Sequence, residues 1–277
     1  MRPFAPEGNQ CADRAWGVST EQNSIVDLSS ESKDPYEYDQ VFGEDSNTRT
    51  IYDALVSGVV SSVAKDGINR TVFAYGQTGS GKTFTMQGCK KSKSDGIVQL
   101  AARDIFQSIK NNDNEDDAVC TVRVSYVEIY NEELRDLLND NSRKSSSSLE
   151  IREDKQGVII VDGLKEVVVK SLEDLMKIFN AGEQKRSVGS TKMNDRSSRS
   201  HAILSITLER KTTTSAPKYD ANEQKENSDH NRAPQSKLVV VKTTSTLKLV
   251  DLAGSESVRH TNAVGKQKEE GGMINQR

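Results

Sequence analysis

The stretch VFAYGQTGSGKTFTMQG, residues 72–88, places β-branched and aromatic residues directly before a glycine-rich loop. The loop reads Gly76, four residues, then Gly81, Lys82 and Thr83, which is the spacing of a phosphate-binding loop that opens a helix. Glycines suit such a loop because a chain without Cβ atoms can turn its N–H groups inward around an anion. The stretch predicts nucleotide binding, with an ordinary glycine-rich strand-to-helix turn as the alternative.

Two side chains of this loop carry specific chemistry. Lys82 supplies a positive charge for the outer phosphates, and the Thr83 hydroxyl is placed to bind Mg²⁺. The predicted nucleotide-binding residues of the loop are Gly76, Gln77, Thr78, Gly79, Ser80, Gly81, Lys82 and Thr83.

Composition narrows the class of protein. The 277 residues, 34% of them hydrophobic, suit one large domain better than two small ones. The net charge of −3 argues against a general nucleic-acid binder, so any acidic partner must meet a local basic patch. The apolar runs are far shorter than the roughly 18 residues of a membrane span, which predicts no membrane insertion. Cys11, Cys89 and Cys120 are scattered without CxxC spacing, as expected in the reducing cytoplasm.

Strand-like and helix-like segments alternate around the loop. Periodicity predicts strands within 23–28, 36–43, 118–131, 201–210 and 245–253, and a hairpin over 157–171 that turns at Asp162–Gly163. Helices are predicted over 48–67, 96–111 and 171–188, the last begun by Ser171 with Asp174 three residues later. The polar stretches 141–148 and 211–237 are predicted to be flexible surface loops. The alternation predicts an α/β fold with its site at strand ends.

A second motif, LVDLAGSE over 249–256, follows an apolar strand. Asp251 at the strand end is placed to reach the Mg²⁺ shell, and the Gly254 N–H is placed to meet a γ-phosphate oxygen. A third motif, NDRSSRSH over 194–201, crowds hydroxyls around arginines. Ser197 and Ser198 are candidates to contact Mg²⁺ or order a water, and Arg199 is a candidate to pair with a carboxylate. A serine-rich polar loop is the alternative for this third motif.

The three motifs, in this order and at these separations, resemble the catalytic core of a kinesin motor domain, and YEYDQVF and SYVEIYNEELRDLL agree with it. Details such as LEIRED and GEQKRSVGSTKMN look most like the centromere-associated kinesin-7 branch. The resemblance implies an α/β P-loop NTPase of the kinesin motor type, with a central mixed sheet flanked by helices on both faces. It extends from Tyr36 to nearly the end of the chain, and it implies that the first strand, the C-terminal helices and the neck lie largely outside residues 1–277.

By this resemblance the chain is an ATP-dependent, microtubule-stimulated ATPase that requires Mg²⁺. Ser198 would join Thr83 and Asp251 at the metal, and Arg199 would form a salt bridge with Glu256 that closes the site around the attacking water. Gly254 would sense the γ-phosphate, while Pro3 and Phe84 would lie beside adenine. The residues themselves favour adenine only because no guanine-reading Asn-Lys-x-Asp motif is present.

The partner implied by the resemblance is the microtubule, whose surface is acidic. The matching basic residues are Lys155, Arg259, His260, Lys266, Lys268 and Arg277. The resemblance also implies a place on the cytoplasmic microtubule cytoskeleton, including the spindle or kinetochore, and dimerisation through a coiled coil beyond residue 277. Two other functions stay open: a kinesin-like module that binds nucleotide or tubulin without turnover, and a P-loop NTPase that is not a motor.

Overall fold

The structure is a computed structural model that describes residues 15–29, 34–89, 91–112, 119–139, 149–155, 157–188, 198–215 and 238–256. Its centre is a sheet of six strands. These are β4 (Arg70–Ala74), β7 (Val119–Tyr130), β8 (Glu133–Asp136), β11 (Val167–Val169), β12 (Ser200–Ser215) and β13 (Leu238–Asp251). Their order is β11-β7-β12-β13-β4, with β8 paired to β7. The β13–β4 pair is parallel and the other pairs are antiparallel.

Helices flank this sheet. They are α1 (Thr48–Ile51), which continues through a π-helical turn (Tyr52–Val56) into α2 (Ser57–Asp66), then α3 (Lys82–Gln87), α4 (Ile97–Asn112) and α5 (Leu172–Val188). The Asp174 amide donates to the Ser171 hydroxyl at 3.1 Å, which confirms the predicted capped start of α5. Among the helices of the described ranges, none has the length and apolar character of a membrane span.

The core lies between one face of the sheet and helices α2, α4 and α5. Alternate residues of three neighbouring strands face these helices, since Val124 lies opposite Ile206 and Ile206 lies opposite Leu247. Residues of opposite parity on the same strands, such as Arg123 and Lys248, lie on the other face. This mixed sheet with flanking helices agrees with the fold class predicted from the sequence.

Three small sheets surround the central one. Strands β1 (Trp16–Ser19), β2 (Ser24–Asp27) and β3 (Tyr36–Glu37) form the first, β5 (Gly88–Cys89) and β6 (Ser94–Asp95) the second, and β9 (Glu150–Glu153) and β10 (Ile159–Asp162) the third. The strand predicted within 23–28 is thus confirmed.

The hairpin predicted over 157–171 is wrong. Strand β10 pairs with β9 across a turn in which the Val158 amide donates to the Asp154 carboxylate at 2.9 Å. Strand β11 pairs instead with β7, where Val167 lies opposite Val124. The segment that begins at Asp162–Gly163 therefore connects two different sheets, and β11 buries Val169 against the central sheet while β10 stays largely exposed.

Two predicted boundaries also change. Only Tyr36–Glu37 of the strand predicted over 36–43 is a strand. The Tyr38 amide still donates to the Asn23 carbonyl at 2.9 Å, but the Val41 amide donates to the Asn23 side chain at 3.0 Å, so the backbone pairing does not continue. Residues 211–215 and Leu238 belong to the paired strands β12 and β13 rather than to a loop. The predicted loops at 141–148 and 216–237 lie outside the described residues.

Candidate nucleotide-binding site

The phosphate loop lies between the end of β4 and the start of α3, as the sequence predicts. Its glycines Gly76, Gly79 and Gly81 have φ values of 154°, 79° and 88°. These values lie in the region that residues with a Cβ rarely adopt, which explains why the loop needs glycine. The Ser80 amide closes a tight turn within the loop by donating to the Gln77 carbonyl at 3.1 Å.

Lys82 folds back onto the loop that precedes it. Its ammonium group donates to the carbonyls of Gly76 and Gln77 at 2.8 and 2.9 Å, and the residue is buried. Burial lowers the pKa of Lys82, and the negative charges of Asp251 and Glu256 partly oppose that effect. The Lys82 ammonium group thus lies inside the loop, from which it can turn towards a bound anion.

Thr83 and Asp251 meet at the base of the loop. Asp251 ends β13 and lies opposite Ala74, the last residue of β4, so both strands end side by side. This register brings the Thr83 hydroxyl within 2.8 Å of Asp251 Oδ2, to which it donates. Two residues predicted to act on Mg²⁺ are therefore in direct contact.

The arrangement fits a hydrated Mg²⁺. Asp251 Oδ1 is buried and has no hydrogen-bond partner among the described residues, and a buried carboxylate oxygen without a partner is costly. A hydrated cation in front of it would supply that partner, with the Thr83 hydroxyl as a direct ligand. The described ranges contain no group of three or more His, Cys, Asp or Glu residues that could hold a metal alone. Mg²⁺ in nucleotide sites is usually held by one or two protein groups together with water and the phosphate oxygens of the substrate.

Arg186 of α5 joins this site, and the sequence prediction missed it. Its guanidinium donates to Asp251 Oδ2 at 2.9 Å and to the hydroxyl and carbonyl oxygens of Ser200 at 3.3 and 3.2 Å. Arg186 is only 2% exposed, and its Nε lies 3.9 Å from the fully buried Glu128. Burial alone would lower the pKa of Arg186, but Asp251 and the other nearby groups outweigh burial and raise it.

Helical spacing was the signal that could have revealed Arg186. Leu175, Phe179, Gly182 and Arg186 recur at intervals of three or four residues and form the buried face of α5. An arginine in that register requires buried partners. A second missed residue is His201, whose Nδ1 accepts a hydrogen bond from the Ala253 amide at 3.2 Å.

The segment 252–256 passes directly over the loop. The Leu252 and Ser255 amides donate to the carbonyls of Ala74 and Gly76, while the Gly254 amide donates to the Ser198 carbonyl at 2.7 Å. A Cβ atom on Gly254 would lie 2.5 Å from the Thr78 hydroxyl oxygen and would overlap the Glu256 carboxylate. Only glycine allows the two segments to approach this closely.

Glu256 closes the loop from above. Its carboxylate accepts a hydrogen bond from the Thr78 amide at 2.8 Å and another from the Thr78 hydroxyl. Burial alone would raise the pKa of Glu256, but the two Thr78 hydrogen bonds, a backbone hydrogen bond of Glu256 itself and the charge of Lys82 together lower it. The Glu256 carboxylate thus binds a backbone N–H group of the phosphate loop that would otherwise be available to a phosphate.

The other predicted site residues fall in several places. Ser198 and Arg199 directly precede β12 beside this site, and Phe84 is a half-buried residue of α3. Lys155 is exposed at the turn between β9 and β10. The predicted Arg199–Glu256 salt bridge stays a prediction. The residues Pro3, Ser197, Arg259, His260, Lys266, Lys268 and Arg277 lie outside the described residues.

Comparisons with known proteins agree with this geometry. The family model for the kinesin motor domain matches residues 1–277. A solved structure described as that of a fast kinesin superimposes with a TM-score of 0.76 at 30% identity, covering 99% of this chain and 70% of that one.

Among curated relatives, kinesin-like protein KIN-7G of Oryza sativa subsp. japonica is 42% identical over 276 residues, which are 99% of this chain and 27% of the relative. Kinesin-related protein 4 of Dictyostelium discoideum is 40% identical over 260 residues, which are 94% of this chain and 12% of the relative. The chain thus spans about a quarter or less of these relatives. Several further relatives carry kinesin-7 names, which confirms the predicted likeness to that branch. The chain belongs to the kinesin motor domain family.

Proposed function

We propose that this chain is an ATP-dependent microtubule motor domain, a microtubule-stimulated ATPase that couples hydrolysis to microtubule binding and movement. The observation that carries the proposal is the continuous set of contacts from Thr83 to Asp251, and from Asp251 through Arg186 to Ser200. This set joins all three sequence motifs at the end of the sheet. A loop that only bound phosphate would not need the third motif.

The residues of the loop are arranged to exchange internal partners for phosphate oxygens. Lys82 now donates to two loop carbonyls, and the Thr78 amide now donates to Glu256. Phosphate oxygens are stronger acceptors for an ammonium group than carbonyl oxygens are, because the bond joins opposite charges. Binding of a nucleotide would therefore turn Lys82 outward and displace Glu256, whose negative charge repels the phosphates.

The proposed cofactor is Mg²⁺, held by the Thr83 hydroxyl, the Ser198 hydroxyl and, through water, Asp251. When bound, Mg²⁺ neutralises charge on the phosphates during phosphoryl transfer. Arg186 holds Asp251 in place for that role and also holds Ser200, two residues after Ser198. Movement of the serine motif is thereby coupled to the strand end that carries Asp251.

The sensing step would use the segment 252–256. The Gly254 N–H can turn from the Ser198 carbonyl to a γ-phosphate oxygen, and Glu256, once displaced from Thr78, would pair with Arg199. We propose that Ser197 and Arg199 order the attacking water and that Pro3 and Phe84 lie beside adenine. Because residue 256 leads into 257–277, this rearrangement would change the segment that carries most of the proposed microtubule contacts.

The proposed microtubule-binding residues are Lys155, Arg259, His260, Lys266, Lys268 and Arg277. Lys155 is supported by its exposed position at the tip of the β9–β10 hairpin, which also exposes Ile151 and Ile159. A projecting basic residue with apolar neighbours suits contact with an acidic protein surface. Binding to this partner would place the protein on the microtubule cytoskeleton in the cytoplasm.

Two assays test the proposal. Binding of a fluorescent ATP analogue should require Mg²⁺ and should be lost in Lys82→Ala and weakened in Thr83→Ala, whereas Lys65→Ala, which removes an exposed lysine of α2, should bind normally. Co-sedimentation with microtubules should weaken in Lys155→Ala but not in Lys177→Ala, an exposed lysine of α5. Nucleotide binding without any microtubule binding would contradict the motor function and favour a non-motor NTPase.

A further inference from the structure

Behind the nucleotide site, Tyr126 of β7 meets Glu183 of α5. The Tyr126 hydroxyl donates a hydrogen bond to Glu183 Oε1. Tyr126 is 2% exposed, and its ring packs against Phe179 with 5.7 Å between ring centroids. The ring also lies so close to α5 that a Cβ atom on Gly182 would be 2.5 Å from it. The position of the hydroxyl is therefore fixed by packing.

Glu183 lies one helical turn before Arg186, so the two side chains share a face of α5. Burial raises the pKa of Glu183, and the positive charge of Arg186 partly opposes that rise. Glu183 is in turn one of the groups that raise the pKa of Arg186. Arg186 nevertheless donates to Asp251 and Ser200, while Glu183 accepts from Tyr126. The carboxylates of Glu183 and Asp251 thus both interact with the Arg186 guanidinium, and the Tyr126 hydroxyl binds the Glu183 carboxylate.

We propose that Tyr126 and Glu183 are positioning residues of the nucleotide site: the Tyr126 hydroxyl restrains the Glu183 carboxylate, and this restraint leaves the Arg186 guanidinium to Asp251. The inference rests on the proposed function. Asp251 Oδ2 accepts from both Arg186 and Thr83. The strength of the Arg186–Asp251 hydrogen bond therefore determines how much negative charge Asp251 presents to Mg²⁺. Tyr126 and Glu183 would act on the site without contacting the nucleotide.

Removal of the Tyr126 hydroxyl and removal of the Glu183 charge should change the affinity for Mg²⁺ in opposite directions. In Tyr126→Phe the ring still packs, but the half-buried Glu183 carboxylate loses the Tyr126 hydroxyl donor and is drawn more strongly to Arg186, the nearby positive charge. Asp251 is then released and should bind the hydrated metal more tightly. In Glu183→Gln the competing charge is gone, so Arg186 holds Asp251 more firmly and the metal should bind more weakly.

The experiment titrates Mg²⁺ against a fluorescent ATP analogue bound to the 277-residue chain. The Mg²⁺ midpoint should fall about fivefold in Tyr126→Phe and rise about fivefold in Glu183→Gln, the lower end of usual coupling between sites. The double variant should behave as Glu183→Gln does, because Tyr126 acts only through Glu183. Glu173→Gln, an exposed glutamate at the start of α5, is the matched control and should leave the midpoint unchanged.

Thermal unfolding of each variant separates positioning from packing. A merely structural role would lower the melting temperature and shift both Mg²⁺ midpoints in the same direction, and that result would overturn the inference. Unchanged midpoints in both variants, in a chain whose wild type binds the Mg²⁺-dependent nucleotide, would overturn the inference alone. Failure of the wild type to bind would overturn the proposed function and the inference together.

Discussion

Glu256 accepts hydrogen bonds from both the amide and the hydroxyl of Thr78, so the strand-end motif caps the phosphate loop with a carboxylate. The contact joins residues 178 positions apart in sequence. Since a phosphate and a carboxylate repel each other, this contact and a nucleotide phosphate exclude one another at the Thr78 amide. Nucleotide binding at this amide therefore requires the Thr78–Glu256 contact to open.

Thr78→Val should make that opening easier. The substitution removes the hydroxyl donor but keeps the amide, so the closed loop loses one charge-assisted hydrogen bond. The affinity for a fluorescent ATP analogue should rise by about threefold to tenfold. Thr71→Val, an exposed position on β4, is the matched control. Weaker binding in Thr78→Val would show that the hydroxyl serves the nucleotide rather than Glu256.

Gly254→Ala should abolish ATP hydrolysis. The added methyl group would overlap Glu256 and lie 2.5 Å from the Thr78 hydroxyl, so the segment 252–256 must move away from the loop. Steady-state turnover measures the loss. Gly58→Ala in α2 is the control, because nothing lies within 4 Å of its added Cβ. This control should gain about 0.5–1 kcal/mol in stability. Normal ATP turnover in Gly254→Ala would show that hydrolysis does not require the segment 252–256 to lie this close to the phosphate loop.

Arg186→Ala should destabilise the fold strongly. Loss of the guanidinium leaves the buried carboxylates of Asp251 and Glu128 without its charge, which typically costs about 3–5 kcal/mol. Arg186→Lys keeps the charge but not the planar fork and should lose less. Urea unfolding gives both values. A loss under about 1 kcal/mol in Arg186→Ala would mean that water replaces the guanidinium easily.

The contribution of Glu209 to the stability of the sheet should disappear at acid pH. Hydrogen bonds from Arg123 and Lys242 lower the pKa of Glu209 from 4.5 to about 2. Because the folded-state pKa is the lower one, its stabilising contribution is present above pH 4.5 and is lost as the pH falls towards about 2. The difference in melting temperature between wild type and Glu209→Gln should therefore shrink over that interval. A difference that stays constant would contradict this assignment.

The sequence predicted the parts of the site that are contiguous in the chain. The loop 76–83 contains both its glycines and its two reactive side chains, so one motif specifies backbone shape and chemistry together. Asp251 was predictable because it ends an apolar strand, and strand ends carry sites in α/β sheets. The capped start of α5 at Ser171 is equally local.

The residues and elements that the sequence missed depend on distant partners. Arg186 resembles any basic residue near the end of a helix until Glu128, Ser200 and Asp251 surround it. The 157–171 hairpin was wrong for the same reason, since the partner of β11 is β7, about 45 residues earlier. Local patterns identify strands well but do not choose between competing partners.

Steady-state ATP hydrolysis with and without stabilised microtubules decides whether this chain is a motor domain, with Lys82→Ala as the blank. We expect microtubules to stimulate hydrolysis strongly, and we expect no hydrolysis in Lys82→Ala. A folded chain that binds Mg²⁺ and ATP but hydrolyses no faster with microtubules would be a nucleotide-binding module and not a motor.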